Sequence, residues 1–144
     1  MKLSTRTRYG IRAILEIAEN HGKGPLQIKT IAERQDISVK YLEQLMAILK
    51  SAGFVRSIRG PRGGYVLSQS PKEIKLSDVF DALEGPVVTA ECVENETYCA
   101  RVADCVTRQV WAEMQQAITR VLQSTTLQDL VDRANDKGAL SYQI

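Results

Sequence analysis

The 144-residue sequence predicts a mainly α-helical fold with a small β wing. Three observations support this fold class. Two short segments with apolar residues at helical spacing, beginning at Ile28 and Ser38, are separated by a break at Asp36-Ile37. A glycine-rich, basic hairpin sequence follows them. Further along the chain, Val106–Leu122 keeps apolar residues at steps of three and four over a helix of about 25 Å.

The first predicted helix covers Met1–Asn20, and its apolar positions indicate one buried face. Three arginines, Arg6, Arg8 and Arg12, lie off that face. We expect them either to be solvated or to face DNA phosphates, and the sequence does not separate these two roles.

The helix that begins after Ser38 is the centre of the predicted fold. Ser38 is a good N-cap residue, because its hydroxyl can accept a hydrogen bond from a free amide of the first helical turn. The preceding helix carries a small residue, Ala32, where the two helices would cross, and Asp36 lies in the turn between them. Two short helices joined in this way indicate a helix-turn-helix. The apolar stripe of the second helix consists of Leu42, Leu45, Met46 and Leu49.

The residues after this helix predict a β-hairpin. Gly53 is placed to end the helix, and Phe54–Ile58 and Tyr65–Leu67 are predicted strands. Arg59–Gly64 contains three glycines and one proline, which favour a tight turn with two arginines at its tip. A helix-turn-helix followed by a basic hairpin is a winged helix-turn-helix, a DNA-binding domain. The alternative is a helical core with a surface turn whose arginines are only solvated.

Charge is distributed unevenly along the chain. Residues 1–64 contain 12 Lys and Arg and five Asp and Glu, whereas residues 65–144 contain seven and 12, for an overall net charge of +2. The positive half contains the predicted winged helix, and we therefore expect double-stranded DNA as a partner. No apolar run approaches the roughly 20 residues of a membrane helix, and no cleavable signal precedes Ser4. A cytoplasmic protein without a membrane partner is expected.

Two more helices complete the prediction around the long one. Leu76–Gly85 is predicted to be a short helix with Ser77 as its N-cap. Val106–Leu122 is a natural dimerisation helix, although its apolar face could also pack within the chain. Thr126 is predicted to cap a last helix, Leu127–Ala134, with a polar tail from Asn135 onward.

All three cysteines of the chain lie within Glu91–Cys105: Cys92, Cys99 and Cys105. An odd number of cysteines in a cytosolic protein argues against disulfide bonds. Charged neighbours surround these cysteines, and clustered thiolates suit a soft metal site, either zinc or iron–sulfur. The alternative is that they are structural cysteines that only pack. A thiol-dependent enzyme is disfavoured, because the only histidine, His21, is far from them in sequence.

The predicted organisation has three parts. Residues 1–85 form the winged-helix DNA-binding domain, residues 86–105 form the cysteine-containing cluster-binding loop, and residues 106–144 contain the dimerisation helix and the C-terminal helix.

Several of these motifs together resemble a family of bacterial regulators. They are the opening Met-Lys-Leu-Ser, Tyr9, Ile37-Ser-x-x-Tyr-Leu-Glu-Gln-Leu45, Arg59-Gly-Pro-x-Gly-Gly-Tyr65 and the three-cysteine loop. Nearly the whole chain is similar to the IscR family of iron–sulfur cluster regulators and to its winged-helix relatives, the nitric-oxide sensor NsrR and the cysteine-metabolism repressor CymR. The resemblance implies a homodimeric transcription factor, not an enzyme, whose cluster tunes recognition of palindromic operator DNA and which controls cluster biogenesis genes.

The resemblance also implies roles for individual residues. The cluster ligands would be Cys92, Cys99 and Cys105, with a 2Fe-2S cluster favoured over 4Fe-4S. Alternatives are nitric-oxide or redox sensing of the NsrR type, and a cluster-free repressor that acts through a protein partner, as CymR does. The DNA-binding residues would be Ser38, Lys40, Tyr41, Glu43 and Gln44 on the recognition helix and Arg59, Gly60, Pro61 and Arg62 on the wing.

The chain departs from the family pattern at one position. IscR proteins typically place a histidine three residues after the third cysteine, and this position is Arg108 here. A guanidinium has no lone pair to donate and cannot replace the histidine as a ligand. The fourth ligand is left open between Asp104, a loop glutamate, Tyr98 and an exogenous ligand.

Overall fold

A computed structural model of the chain describes residues 2–142 and the side chains of residues 2–138. Its two strands, β1 (Val55–Ile58) and β2 (Gly64–Leu67), pair antiparallel, and a 3-10 turn follows at Pro71–Glu73. The mainly helical fold with a small wing is confirmed. The helices are α1 (Thr5–Glu19), α2 (Ile28–Gln35), α3 (Val39–Ser51), α4 (Leu76–Glu84), α5 (Glu91–Glu94), α6 (Val106–Gln123) and α7 (Leu127–Tyr142).

The helix-turn-helix is formed by α2 and α3, as the sequence predicts. Asp36 ends α2 in the left-handed conformation, with φ of 53°, which a short polar side chain tolerates better than most. The Ile37 amide then donates to the Ala32 carbonyl at 3.1 Å, and Ala32 is buried where the helices meet. Ser38 caps α3, accepting a hydrogen bond from the Tyr41 amide at 3.1 Å. The predicted apolar stripe of α3 is fully buried.

The wing is attached to the segment that precedes α2. Tyr65 at the start of β2 pairs with Leu26 through two backbone hydrogen bonds of 3.0 and 2.8 Å. Gly64 makes this contact possible, because a Cβ atom there would lie 2.4 Å from the Leu26 carbonyl oxygen. The wing therefore cannot move independently of the body of the domain without losing both hydrogen bonds.

One hydrophobic core joins α1, α2, α3, α4 and the start of α7. Ile14 and Ile17 of α1, Val79 of α4 and Leu127 of α7 are each at most 1% exposed. Burial of each such side chain contributes about 1.5–3 kcal/mol. Gly10 lets α1 approach α4 closely, because a Cβ atom there would lie 2.7 Å from the Leu83 side chain. α1 and the start of α7 thus pack into the same core as the helix-turn-helix.

The start of α1 and the N-cap residue of α4 were predicted wrongly. α1 begins at Thr5, because Ser4 acts as its N-cap and accepts from the Thr7 amide at 3.1 Å; Met1 lies outside the described residues. Ser77 is not the N-cap of α4, which begins at Leu76 after Lys75. Lys75 pairs with Thr126, and the Leu76 amide donates to the Thr125 carbonyl at 2.7 Å, so a distant segment sets this start.

The C-terminal helix is longer than predicted. Thr126 does cap α7: its Oγ1 accepts from the Asp129 amide at 3.1 Å, and Asp129 accepts from the Thr126 amide at 2.9 Å. The predicted end at Ala134 is wrong, because α7 continues to Tyr142. Polar residues 135–137 are exposed on the helix, and a polar run on an exposed helix face resembles a tail in sequence. Within residues 2–142, no helix has the length and apolar character needed to cross a bilayer.

Candidate DNA-binding surface and cysteine segment

The outer face of α3 is polar and exposed at its N-terminal end. Ser38, Lys40, Glu43 and Gln44 are all exposed, while the opposite face is buried in the core. The first turn of a helix also presents partly positive amide groups, which favour a phosphate nearby. The structure therefore brings these four predicted DNA-binding side chains together on one accessible surface.

Tyr41 differs from its neighbours because it is half-buried. Its ring meets the ring of Tyr9 on α1 edge to face, with centroids 6.3 Å apart and an interplanar angle of 86°. Such pairs contribute about 0.5–1.5 kcal/mol beyond burial. Tyr41 therefore helps to hold α3 against α1, in addition to the predicted contact with DNA.

The wing tip presents two cations at the end of a rigid turn. Arg59, Gly60, Pro61 and Arg62 are all exposed. The Gly63 amide closes the turn by donating to the Gly60 carbonyl at 2.9 Å, and Gly60 has a φ of 117°. A Cβ atom on Gly63 would lie 2.0 Å from the Ile58 carbonyl oxygen. The conformation of the wing tip therefore requires glycine at positions 60 and 63.

The recognition helix and the wing are connected by a side chain that the sequence analysis did not assign. Lys50 in the last turn of α3 donates from Nζ to Ser57 Oγ on β1 at 2.9 Å. A cation in the last turn before a strand is the one signal in the sequence for this contact. The C-terminal end of α3 is thus tied to β1 of the wing.

The three cysteines lie in different environments. Cys92 is half-buried within α5, Cys99 is exposed, and Cys105 is the half-buried N-cap residue of α6; all three are free thiols. Among the side chains of residues 2–138, no group of three or more His, Cys, Asp and Glu is gathered closely enough to hold a metal ion. The structure thus ties the Cys92 backbone to α6, whose N-cap residue is Cys105, without gathering all three thiols.

Side chains of α6 hold α5 in place. Arg108 Nε donates to the Cys92 carbonyl oxygen at 2.7 Å. Gln115 accepts from the Thr89 amide at 3.1 Å and donates to the Glu94 carboxylate. These contacts were missed by the sequence analysis, because polar residues on a long helix give no sign of which segment they bind.

Two residues at the start of α6 hydrogen-bond the thiol of Cys105. Its Sγ lies 3.2 Å from Thr107 Oγ1. Hydrogen bonding by the Thr107 hydroxyl, followed by the Arg108 amide at the start of α6, lowers the pKa of the Cys105 thiol. A thiolate is the form that binds metals, so this cysteine has the chemistry that the predicted ligand role needs.

Comparison with known proteins identifies the family. The family profile "Rrf2: Iron-dependent Transcriptional regulator" matches residues 3–133. The chain belongs to the Rrf2 family of transcriptional regulators. It is 45% identical to "Protein rrf2" of Nitratidesulfovibrio vulgaris over 94% of this chain and 90% of that protein.

Rrf2-family structures share the fold of this chain. The structure of CymR, the global cysteine regulator of B. subtilis, has a TM-score of 0.81 at 40% identity and covers 92% of this chain and 98% of that one. The structure of T. potens IscR has a TM-score of 0.76 at 40% identity, over 93% and 88% of the two chains. The winged helix is thus confirmed, as is the role of a DNA-binding transcriptional regulator. Similarity to both IscR and CymR leaves the subtype open.

In this Rrf2 protein, α6 carries a large exposed apolar face. None of its 18 residues is buried. The side chains of Val106, Val110 and Met114, in its N-terminal half and middle, are exposed to solvent. Near its C-terminal end, Val121 is 63% exposed. Val121 also lines an apolar cavity of about 410 Å³ between α6, α4 and the N-terminal residues Lys2 and Leu3. A continuous exposed apolar surface of this kind is typical of a protein interface.

Proposed function

We propose that this Rrf2 regulator is a homodimer that binds palindromic operator DNA through α3 and the wing, and that an iron–sulfur cluster at the cysteine segment tunes its choice of operators. The observation that carries the proposal is the exposed polar face of α3 joined to the basic wing through Lys50 and Ser57. In this division of labour, residues 1–85 contact DNA, residues 86–105 bind the cluster and α6 pairs the two subunits.

Specific roles follow from side-chain chemistry. Lys40 and Gln44 can donate to base edges and phosphates, whereas the Glu43 carboxylate can only accept and suits a cytosine amino group. Arg59 and Arg62 at the wing tip suit the phosphate backbone or the minor groove. Glu43 therefore contributes to specificity, while the wing arginines contribute to affinity.

Dimerisation is supported by the exposed face of α6. Although α6 packs against α4 and α5, its apolar residues Val106, Val110 and Met114 stay exposed. Pairing with a second copy would cover this face and place two recognition helices on one duplex. A two-fold protein of this type reads half-sites that are related by a palindrome.

Cluster binding is supported by the chemistry of the donor set. Three free thiols lie in one 14-residue segment, and the pKa of the Cys105 thiol is lowered. Cys92, Cys99 and Cys105 would hold the cluster, preferably 2Fe-2S, and the segment between α5 and α6 would have to bring Cys99 to the other two. Arg108 fixes Cys92 to α6. When bound, the cluster would supply a redox-active centre. The likeness to IscR favours cluster biogenesis genes as targets.

A cluster-free regulator is the competing candidate. The likeness to B. subtilis CymR favours it, as does the lack of a gathered thiol group among the described side chains. Such a regulator would act through a protein partner. A nitric-oxide or redox sensor of the NsrR type would instead use the same cysteines and cluster with a different set of target genes.

The deciding experiment is anaerobic purification and reconstitution with iron and sulfide. Wild type and the single variants Cys92→Ala, Cys99→Ala and Cys105→Ala are compared by iron and sulfide content, ultraviolet–visible spectra and operator binding; Ser124→Ala is the control for a small side-chain change elsewhere. We expect cluster absorption in wild type and its loss in the three cysteine variants. A wild-type protein that binds operator DNA but holds neither iron nor sulfide would contradict the cluster and favour the CymR-like alternative.

A further inference from the structure

Arg12 of α1 is connected to the recognition helix, α3, indirectly through the side chain of Tyr9. Its guanidinium carbon is 5.0 Å from the centroid of the Tyr9 ring, which is a cation–π contact. The Tyr9 ring in turn meets Tyr41 edge to face. Tyr41 lies in the first turn of α3. Arg12 is therefore connected through two aromatic rings to the end of α3 that presents the polar surface.

The other arginines of α1 are placed differently. Arg6 Nε donates to the Leu83 carbonyl oxygen at 2.8 Å, so this side chain is used to hold α1 against α4. Arg8 is exposed. With about 100° between successive residues of a helix, Arg8 is about 100° from Tyr9 around the axis, whereas Arg12 is about 60° from it. The structure thus separates three arginines that the sequence could not rank.

The charge of Arg12 is available to a ligand. Its side chain is exposed, and among the side chains of residues 2–138 the one ion pair is Arg34–Glu16. Glu16 lies one turn after Arg12 on α1, but its carboxylate accepts hydrogen bonds from Arg34 at 3.1 Å and from Gln35 at 2.6 Å. The nearest acidic residue along this face of α1 is thus engaged with α2.

We infer that Arg12 contacts the DNA backbone and that Tyr9 positions it for this contact. The inference rests on the proposed placement of α3 in the major groove, where a side chain next to its first turn lies beside the flanking phosphates. A planar guanidinium can bind phosphate oxygens through two parallel hydrogen bonds, and stacking on a ring reduces the freedom lost on binding. The contact extends the DNA-binding surface from the helix-turn-helix to α1 and does not depend on sequence.

The test is a salt titration of DNA affinity with the full chain. The probe is a fluorescent duplex of about 30 base pairs, selected by the wild-type protein from a random pool. Arg12→Ala is expected to bind roughly tenfold more weakly, as for one charged hydrogen-bonding contact. It should also reduce the slope of log affinity against log salt by about 0.9, the value for one phosphate. Arg133→Ala, an exposed arginine of α7, is the matched control and should leave both quantities unchanged.

Two further variants separate positioning from charge. Arg12→Lys should keep the salt slope but recover only part of the affinity, because it retains the charge without the planar group. Tyr9→Phe retains the aromatic ring and should bind DNA like wild type. Tyr9→Leu removes the ring and should weaken binding without changing the slope of log affinity against log salt. Melting curves verify that both variants are folded. If Arg12→Ala matches Arg133→Ala in affinity and slope while wild type binds the duplex, the inference is wrong and the proposed function stands. If wild type shows no salt-dependent binding, both are wrong.

Discussion

Arg108 donates a hydrogen bond from Nε to the backbone carbonyl oxygen of Cys92, over 2.7 Å. Arg108 lies in the first turn of α6, next to the N-cap residue Cys105. The residue that stands in place of the histidine of IscR-type proteins thus connects α5 to α6. Its side chain holds the neighbouring segment through the Cys92 backbone, and its own amide hydrogen-bonds the Cys105 thiol.

Replacing Arg108 with alanine is expected to release α5 from α6. The Cys92 carbonyl would lose its charged partner, which contributes about 1.5–3 kcal/mol when such a bond is well shielded and less at this half-exposed position. Hydrogen exchange of the amides of residues 91–95 should become several-fold faster. Arg101→Ala, which changes an exposed arginine of the same region, is the control. Equal exchange in the two variants would show that the contact does not order α5.

The variant Arg108→His tests the fourth cluster position separately. If the cluster of the wild-type protein has an incomplete or oxygen-based fourth ligand, a histidine at this position should change the absorption spectrum and lengthen the lifetime in oxygen. An unchanged spectrum and lifetime would contradict the proposal for the fourth ligand and leave the three cysteine ligands unaffected.

Glu43 is expected to act on specificity more than on affinity. Its exposed carboxylate can accept from a cytosine amino group but repels phosphates. Glu43→Ala should therefore relax discrimination at one base pair by about 1–3 kcal/mol and bind weaker sites as well or better. Arg59→Ala, in contrast, should weaken binding to all sequences. Competition assays with a duplex library measure both effects; an equal loss on every sequence for Glu43→Ala would argue against base contact.

Glu84 connects the end of α4 to the start of α1. Its carboxylate accepts hydrogen bonds from the hydroxyls of Ser4 and Thr7. The bond from Ser4, followed by that from Thr7, lowers the pKa of Glu84 below its usual value of 4.5. A carboxylate whose pKa is lower in the folded state stabilises the fold above the unfolded-state pKa. This contribution is lost as the pH falls through the folded-state value.

The variant Glu84→Gln should therefore be less stable than wild type at neutral pH, by up to about 1 kcal/mol given the partial exposure of the side chain. The difference should shrink as the pH falls from about 4.5 through the lower folded-state pKa of Glu84, because the wild-type carboxylate is then protonated as well. Urea unfolding at several pH values measures it. Glu73→Gln, an exposed change on the 3-10 turn, should show no such trend, and parallel behaviour of the two variants would rule out a specific role for Glu84.

A charge in the apolar face of α6 is expected to prevent dimerisation. Met114 is 45% exposed in the middle of this face, and burial of an unpaired carboxylate at an interface costs several kcal/mol. Met114→Asp should raise the dimer dissociation constant by roughly 100-fold or more. Gln116→Asp places the same charge at an exposed polar position of the helix and should stay dimeric. Light scattering at several protein concentrations distinguishes the two variants. If Met114→Asp is still a dimer, this face of α6 is not the dimer interface.

The parts of the fold that depend on neighbouring residues were predicted well from the sequence. Ser38, Asp36 and the stripe of α3 act within a few residues of one another, and the structure confirms all of them. The N-cap of α4 was predicted wrongly, because Lys75 pairs with Thr126, some 50 residues away. The end of α7 was also wrong, because exposed polar residues suit both a helix surface and a tail.

In the candidate site, too, features set by neighbouring residues could be predicted, whereas contacts between distant segments could not. The exposure of Lys40, Glu43 and Gln44 follows from helical periodicity alone. The Tyr9–Tyr41 contact joins two helices whose relative position the sequence does not define. The contacts of Arg108 and Gln115 depend on how α5 folds back onto α6, and the assignment of Cys92, Cys99 and Cys105 as ligands stays a prediction that chemical analysis must test.

If α6 pairs two copies, as we propose, its exposed apolar residues have a consequence for the amount of protein that a cell needs. The part of the stability that comes from contacts with a second copy exists only while that copy is bound. Each tenfold dilution then lowers the stability of the folded assembly by about 1.4 kcal/mol. A fall in copy number would weaken the remaining folded molecules at the same time as it empties the operators, so that expression level itself becomes part of the regulatory response.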